Sequence, residues 1–151
     1  MSDSIPPTDL TRRPPRSPRV RLGGYALLPR LIDKGRATAD GTNGDYNYAC
    51  PLDAMFFEFT SISPGDFKAQ IDAGLGDGEL LEWVGRNAGA GRSPHEIALW
   101  SRFIEDRVPS DVETREYFNG LHKSAGGSRG DIATWCDLLD MDDFASFGGL
   151  I

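Results

Sequence analysis

The chain has 151 residues, of which 39% are hydrophobic and 26% charged, a composition typical of one soluble globular domain. Its two cysteines are too few for a disulfide framework, and no apolar run approaches the roughly 18 residues of a membrane span. The first 21 residues lack the apolar stretch of a secretory signal. We therefore expect a cytoplasmic protein with no membrane partner.

The net charge of −7 is unevenly distributed along the chain. Residues 1–36 carry 8 basic and 3 acidic side chains, so residues 37–151 hold a net charge of −12. Arginines alternate with prolines in residues 1–21, which predicts an extended, polyproline-like arm. We expect this arm to dock on a single acidic helical domain formed by residues 22–151. The five arginines of residues 1–21 could contact phosphates, but the acidic domain repels them, so nucleic-acid binding is a weaker third alternative.

Helical signals begin directly after the arm. Pro29 suits the first turn of a helix that extends through Arg36, and Asn43-Gly44 then predicts a turn. Tyr46, Tyr48 and Cys50 occupy every second position, which suggests a short extended stretch with these side chains on one face. Such a stretch allows one small hairpin. Pro51 opens a very apolar segment that we interpret as a short buried helix.

The remaining helices have recognisable start signals. Ser63, Asp77, Ser93 and Ser110 are each predicted to cap a helix, and Ser93-Pro94-His95-Glu96 is the strongest of these patterns. A glycine-rich loop precedes a last helix that contains Trp135 and Cys136. The predicted fold class is therefore mainly α, a compact domain of six or seven short helices.

Several motifs with known chemistry fail in their context. The run from Gly126 to Gly130 matches a nucleophile elbow in spacing, but the polar end of a helix precedes it instead of a buried strand. The acidic cluster around Asp140 lacks the glycine and glutamate of a calcium loop, and we interpret it as a solvated helix end. Histidine and cysteine spacings indicate no metal site, and we expect no cofactor.

One group of side chains is a candidate site. It comprises three cations, two phenols, a thiol and a carboxylate, namely Arg30, Lys34, Arg36, Tyr46, Tyr48, Cys50 and Asp53. The cations and tyrosines would bind an anionic ligand, and nearby cations would activate Cys50, which with Asp53 is a candidate catalytic residue. The structural alternative is that the two tyrosines and Cys50 belong to the core.

Short motifs in a specific combination extend over nearly the whole chain. They are Arg13–Arg19, Gly24-Tyr25 with Leu28-Pro29-Arg30, Ile32-Asp33-Lys34 with Arg36-Ala37, Tyr48–Asp53, Asp77–Trp83, Ser93–Trp100, and Asp131–Trp135 with Asp137–Asp140. Together they resemble a bacterial family described as a domain of unknown function, DUF5069. The resemblance implies no activity and no catalytic residues. It does imply that the arm belongs to the domain.

Two functions follow from these observations. The first is a small-molecule-binding protein, with catalysis left open, whose pocket lies between Arg30–Arg36 and Tyr46–Asp53. Replacing Cys50 by Ser or Lys34 by Met should then abolish binding and leave the melting temperature nearly unchanged. Matching losses of stability in both variants would instead show that these residues simply hold the fold. The alternative is a non-catalytic interaction or regulatory module that binds a protein partner through its basic arm. The sequence indicates neither the substrate nor the oligomeric state.

Overall fold

A computed structural model of the chain describes residues 8–89 and 91–151. Seven α-helices occur in these ranges, which confirms the mainly-α fold class. They are α1 (Leu28–Asp40), α2 (Pro51–Thr60), α3 (Pro64–Asp72), α4 (Asp77–Asn87), α5 (Pro94–Asp106), α6 (Val112–Gly126) and α7 (Trp135–Ser146). None of the helices in the described ranges is both long enough and apolar enough to cross a membrane.

The segment between α1 and α2 differs from the extended stretch suggested by its alternating tyrosines. Residues 43–50 form turns, and no strand occurs within residues 8–89 and 91–151, so the small hairpin is not found there. Gly44 (φ 54°) and Ala49 (φ 60°) take left-handed backbone conformations, which break the alternation of faces that a strand requires. The Tyr46 hydroxyl points to Asp143, whereas the Tyr48 ring packs against Phe57.

Capping side chains fix where several helices begin. The hydroxyls of Ser63, Ser93 and Thr134 each accept a hydrogen bond from a backbone N–H in the first turn of α3, α5 and α7. The cap of α6 is Asp111 rather than Ser110, because Asp111 Oδ1 accepts from the Thr114 N–H at 2.7 Å. The sequence therefore predicts the helix correctly but places its cap one residue too early.

Two apolar clusters divide the described part of the domain. The larger cluster contains residues from each of the first five helices, α1 through α5. Within it, Phe56 contacts Tyr25 and Trp100 edge-on. The smaller cluster joins α6 and α7 around the buried side chains of Phe118 and Leu138. The helices of each cluster bury their apolar faces against one another, and an open space remains between the two clusters.

Arginines of residues 8–21 pair with acidic side chains on four helices. The pairs are Arg16 with Asp33 (3.0 Å) of α1 and with Asp77 (2.7 Å) of α4, Arg21 with Glu105 (2.9 Å) of α5, and Arg19 with Asp137 and Asp140 of α7. Leu10, Pro15 and Pro18 are also buried. The division into an arm of residues 1–21 and a domain of residues 22–151 stays a prediction, and residues 1–7 lie outside the described ranges.

Candidate functional site

A cleft of about 1050 Å³ opens between the two apolar clusters. Its walls come from α1, the turns before α2, the start of α2, and the facing sides of α6 and α7. Apolar and aromatic side chains cover much of the surface, among them Leu52, Tyr117, Leu121, Trp135, Leu138 and Phe147. A cleft of this size and mixed character is typical of small-molecule sites.

Lys34, Asp53 and Cys50 form a charged cluster in the cleft wall. Lys34 Nζ lies 2.6 Å from Asp53 Oδ2 and 3.4 Å from Cys50 Sγ. The Cys50 backbone N–H, at the start of α2, donates to the same Asp53 oxygen at 3.3 Å. Lys34 and Asp53 are 4% and 0% exposed, so their attraction is weakly screened.

The second oxygen of the Asp53 carboxylate has no partner. Asp53 Oδ1 is buried and accepts no hydrogen bond from any residue in the described ranges. Leaving a buried acceptor unsatisfied costs about 1–3 kcal/mol. A buried charged side chain with unused acceptor capacity, set in the wall of a cleft, is unusual for a purely structural contact.

Arg30 and Tyr46 share a single carboxylate, that of Asp143 in α7. Arg30 donates to both Asp143 oxygens, at 2.7 and 3.3 Å, and the Tyr46 hydroxyl donates to Oδ1 at 2.8 Å. Burial opposes the charge of Arg30, but the hydrogen bonds to Asp143 and the attraction of nearby negative groups together outweigh burial and raise its pKa. Burial and then the Asp143 carboxylate raise the pKa of Tyr46. Both groups therefore keep their protons, and the bridge ties α1 to α7 across the cleft.

Two of the predicted ligand-binding residues lie outside the cleft. Arg36 pairs with Asp77 at 3.1 Å and donates to the Leu75 carbonyl at 3.2 Å. The Tyr48 hydroxyl donates to the Pro64 carbonyl at 2.8 Å, and its ring packs edge-on against Phe57. Burial raises the Tyr48 pKa. Tyr48 therefore packs against the larger apolar cluster, as the structural alternative expects. The other five candidates line the cleft together, namely Arg30, Lys34, Tyr46, Cys50 and Asp53.

The sequence did not indicate the contribution of α6 and α7. Asp143 belongs to the acidic cluster that we interpreted as a solvated helix end, yet it is 5% exposed and bound by Arg30. Asp137 and Asp140 of the same cluster bind Arg19. One feature of the sequence could have indicated these contacts, namely the opposite net charges of residues 1–36 and 37–151. Arginines in the basic part are expected to pair with carboxylates in the acidic part.

Arg107, between α5 and α6, is a further cation in the cleft wall. No carboxylate of the described residues lies within ion-pair distance of it. Its guanidinium contacts Met55 Sδ and lies 5.8 Å from the centre of the Phe103 ring. Arg107 is half-buried, so it offers an unpaired positive charge to the cleft.

The fold and the cleft define a small all-α protein whose two helical clusters enclose a mixed polar and apolar cavity. The family described as Domain of unknown function (DUF5069) matches residues 12–145. The match covers nearly the whole chain, and the chain belongs to this family. No curated protein matches the chain. Within the described ranges, no group of three or more histidine, cysteine or acidic side chains is placed to hold a metal ion.

Proposed function

We propose that the chain is a small-molecule-binding protein whose ligand occupies the cleft between the two helical clusters. The observation that carries the proposal is the buried Lys34–Asp53 pair, which lines a large cleft beside the Cys50 thiol. Buried charges are costly to hold and are rarely placed at a cavity wall without a binding or catalytic role. The apolar walls would hold the body of the ligand.

An anionic group on the ligand remains part of this proposal. Arg30 and Lys34 each have a carboxylate partner already, so neither is free to neutralise a ligand carboxylate or phosphate. Arg107 is the cleft cation that best supports an anionic ligand, because its guanidinium has no acidic partner among the described residues. A planar guanidinium suits two-point contacts with either anion.

Catalysis would involve Cys50 and Asp53. Cys50 lies at the N-terminus of α2, and the Lys34 ammonium is 3.4 Å from its sulfur. For an electrophilic ligand in the cleft, Cys50 is the candidate nucleophile. Asp53 would act by holding Lys34 in place.

The alternative function, a protein-interaction or regulatory module that uses the basic arm, has weaker support. Arg16, Arg19 and Arg21 are occupied by carboxylates of the chain's own helices. Only Arg12 and Arg13 of the five arm arginines are exposed and without an ion pair among the described residues. These contacts favour the cleft over the arm as the binding element. The bacterial origin and the cytoplasmic location stay predictions.

A ligand screen by thermal denaturation tests the proposal. A ligand present at about 100 times its Kd stabilises the folded state by about 2.7 kcal/mol, enough to raise the melting temperature by roughly 5–10 °C. Replacing Leu121 by Trp places a larger side chain in the cleft and should weaken the shift. Leu99→Trp is the matched control, because Leu99 is exposed on α5 outside the cleft. Compounds that stabilise both variants equally would contradict the proposal.

A further inference from the structure

The Cys50 thiol and the Lys34 amine are adjacent nucleophiles in the cleft wall. Their Sγ and Nζ atoms are 3.4 Å apart, and Lys34 lies on α1 whereas Cys50 caps α2. Cys50 is half-buried and lines the open cleft, so a small oxidant can reach its sulfur. The two atoms are already close to van der Waals contact, and the lysine stem is flexible.

The other cysteine provides an internal contrast. Cys136 is buried among α5 and α7, and its thiol faces the Ile104 carbonyl at 3.8 Å. Burial raises the pKa of Cys136 to about 11, which leaves almost no thiolate at neutral pH. Cys50 instead lines the open cleft at the N-terminus of α2, with the Lys34 ammonium 3.4 Å from its sulfur.

A proton acceptor is also in place. An amine must lose a proton before it can attack sulfur, and Lys34 Nζ already donates to Asp53 Oδ2 at 2.6 Å. Asp53 accepts no other side-chain hydrogen bond from the described residues, and its Oδ1 has no partner there. Transfer of the lysine proton to Asp53 makes both groups neutral, so the pair can separate without leaving an uncompensated buried charge.

We propose that Cys50 and Lys34 form a peroxide-induced, thiol-reversible cross-link. Hydrogen peroxide first oxidises the Cys50 thiol to a sulfenic acid, transferring one oxygen and releasing water. The neutral Lys34 amine then attacks the sulfur and displaces hydroxide, which takes up a proton and leaves as a second water. The product is a sulfur–nitrogen bond, a sulfenamide between α1 and the start of α2. A dithiol reductant cleaves this bond and regenerates the thiol and the amine.

Intact-mass spectrometry of the full chain after peroxide treatment tests the cross-link. The expected product has lost two hydrogen atoms, about 2 Da, and returns to the starting mass with dithiothreitol. Peptide mapping should join the peptides that contain Lys34 and Cys50. The mass loss should persist in Cys136→Ser and disappear in Cys50→Ser. Lys34→Arg keeps a cation beside Asp53 and should give stable oxygen adducts instead.

Three results would overturn the inference. One is accumulation of oxygen adducts of about 16 or 32 Da on Cys50 of the unaltered chain with no joined peptide. Another is a mass loss that persists in Cys50→Ser. The third is a disulfide between two chains as the main product, visible as a doubled mass. Since the mapping uses the unaltered protein, the result does not depend on whether Lys34→Arg folds.

Discussion

Lys34 and Asp53 depend on each other because neither charge reaches bulk water. The ammonium–carboxylate distance is 2.6 Å, and both side chains are almost completely buried. A buried pair of this kind contributes little net stability when it is intact, but either charge alone is very costly. Removing either charge alone should therefore destabilise the fold.

Replacing Lys34 by Met should destabilise the chain by about 3–5 kcal/mol, because it strands the Asp53 carboxylate in the interior. The burial of the pair changes the expectation from sequence, which was that the melting temperature would hardly change. Urea denaturation measures the loss. Lys68→Met is the matched control: Lys68 pairs with the exposed Asp72 one helical turn away and should cost about 0.5 kcal/mol or less.

A double substitution separates the charge effect from simple loss of packing. Lys34→Met combined with Asp53→Leu removes both charges, and we expect it to be more stable than Lys34→Met alone. If the double variant is instead less stable than the single variant, the two charges are not coupled in the way that their contact implies.

The helices were predictable because their signals are local. Proline, serine and acidic residues at the start of α3 and α5 identify both helices without any knowledge of the tertiary contacts. The turns around Tyr46 were not predictable in the same way, since Ala49 adopts a left-handed conformation that its residue type does not favour. Tyr48 is partly buried and packs against the larger apolar cluster, and Tyr46 reaches Asp143.

The cap of α6 provides a test at the level of the element. Asp111→Ala should cost about 1 kcal/mol, because the carboxylate accepts the Thr114 N–H at the helix start. Ser110→Ala should cost only a few tenths of that amount, although the sequence favoured Ser110 as the cap. Chemical denaturation of the two variants compares them directly. Equal losses, or a larger loss for Ser110→Ala, would show that α6 begins one residue earlier.

At the scale of the whole molecule, the opposite charges of the arm and the domain meet in specific ion pairs. The candidate cations could be read from sequence, but Asp143 and the apolar walls from α6 and α7 could not. They come from residues about 100 positions further along the chain, and only tertiary packing of the two helical clusters brings them to α1. Local patterns carry no information on such pairing.

Asp137 makes the arm contact sensitive to acid. Burial raises its pKa, but hydrogen bonds from the Thr134 and Ala133 N–H groups and from Arg19 outweigh burial and lower it to about 2. Because the unfolded-state pKa is higher, near 3.9, the resulting stabilisation is present above about pH 4 and is lost as the pH falls towards 2. We expect Arg19→Gln to weaken this acid dependence.

Unfolding free energies measured from pH 6 to pH 2 check the expectation. Arg19→Gln should lower stability at pH 6 by up to about 1 kcal/mol and lose less on acidification than the unaltered chain. Arg13→Gln is the control, since Arg13 is exposed and makes no ion pair among the described residues. Parallel pH profiles for Arg19→Gln and the unaltered chain would show that Arg19 does not stabilise the ionised carboxylate.

The most direct test of the cleft as a ligand site is amide NMR of the isotopically labelled full chain during titration with the compounds that stabilise it. Binding in the cleft predicts that the perturbed amides cluster at Cys50–Asp53, around Arg107, and on the facing sides of α6 and α7 near Leu121 and Trp135. Perturbations confined to the arm, or scattered over exposed positions such as Leu99 and Leu150, would contradict a ligand site in the cleft.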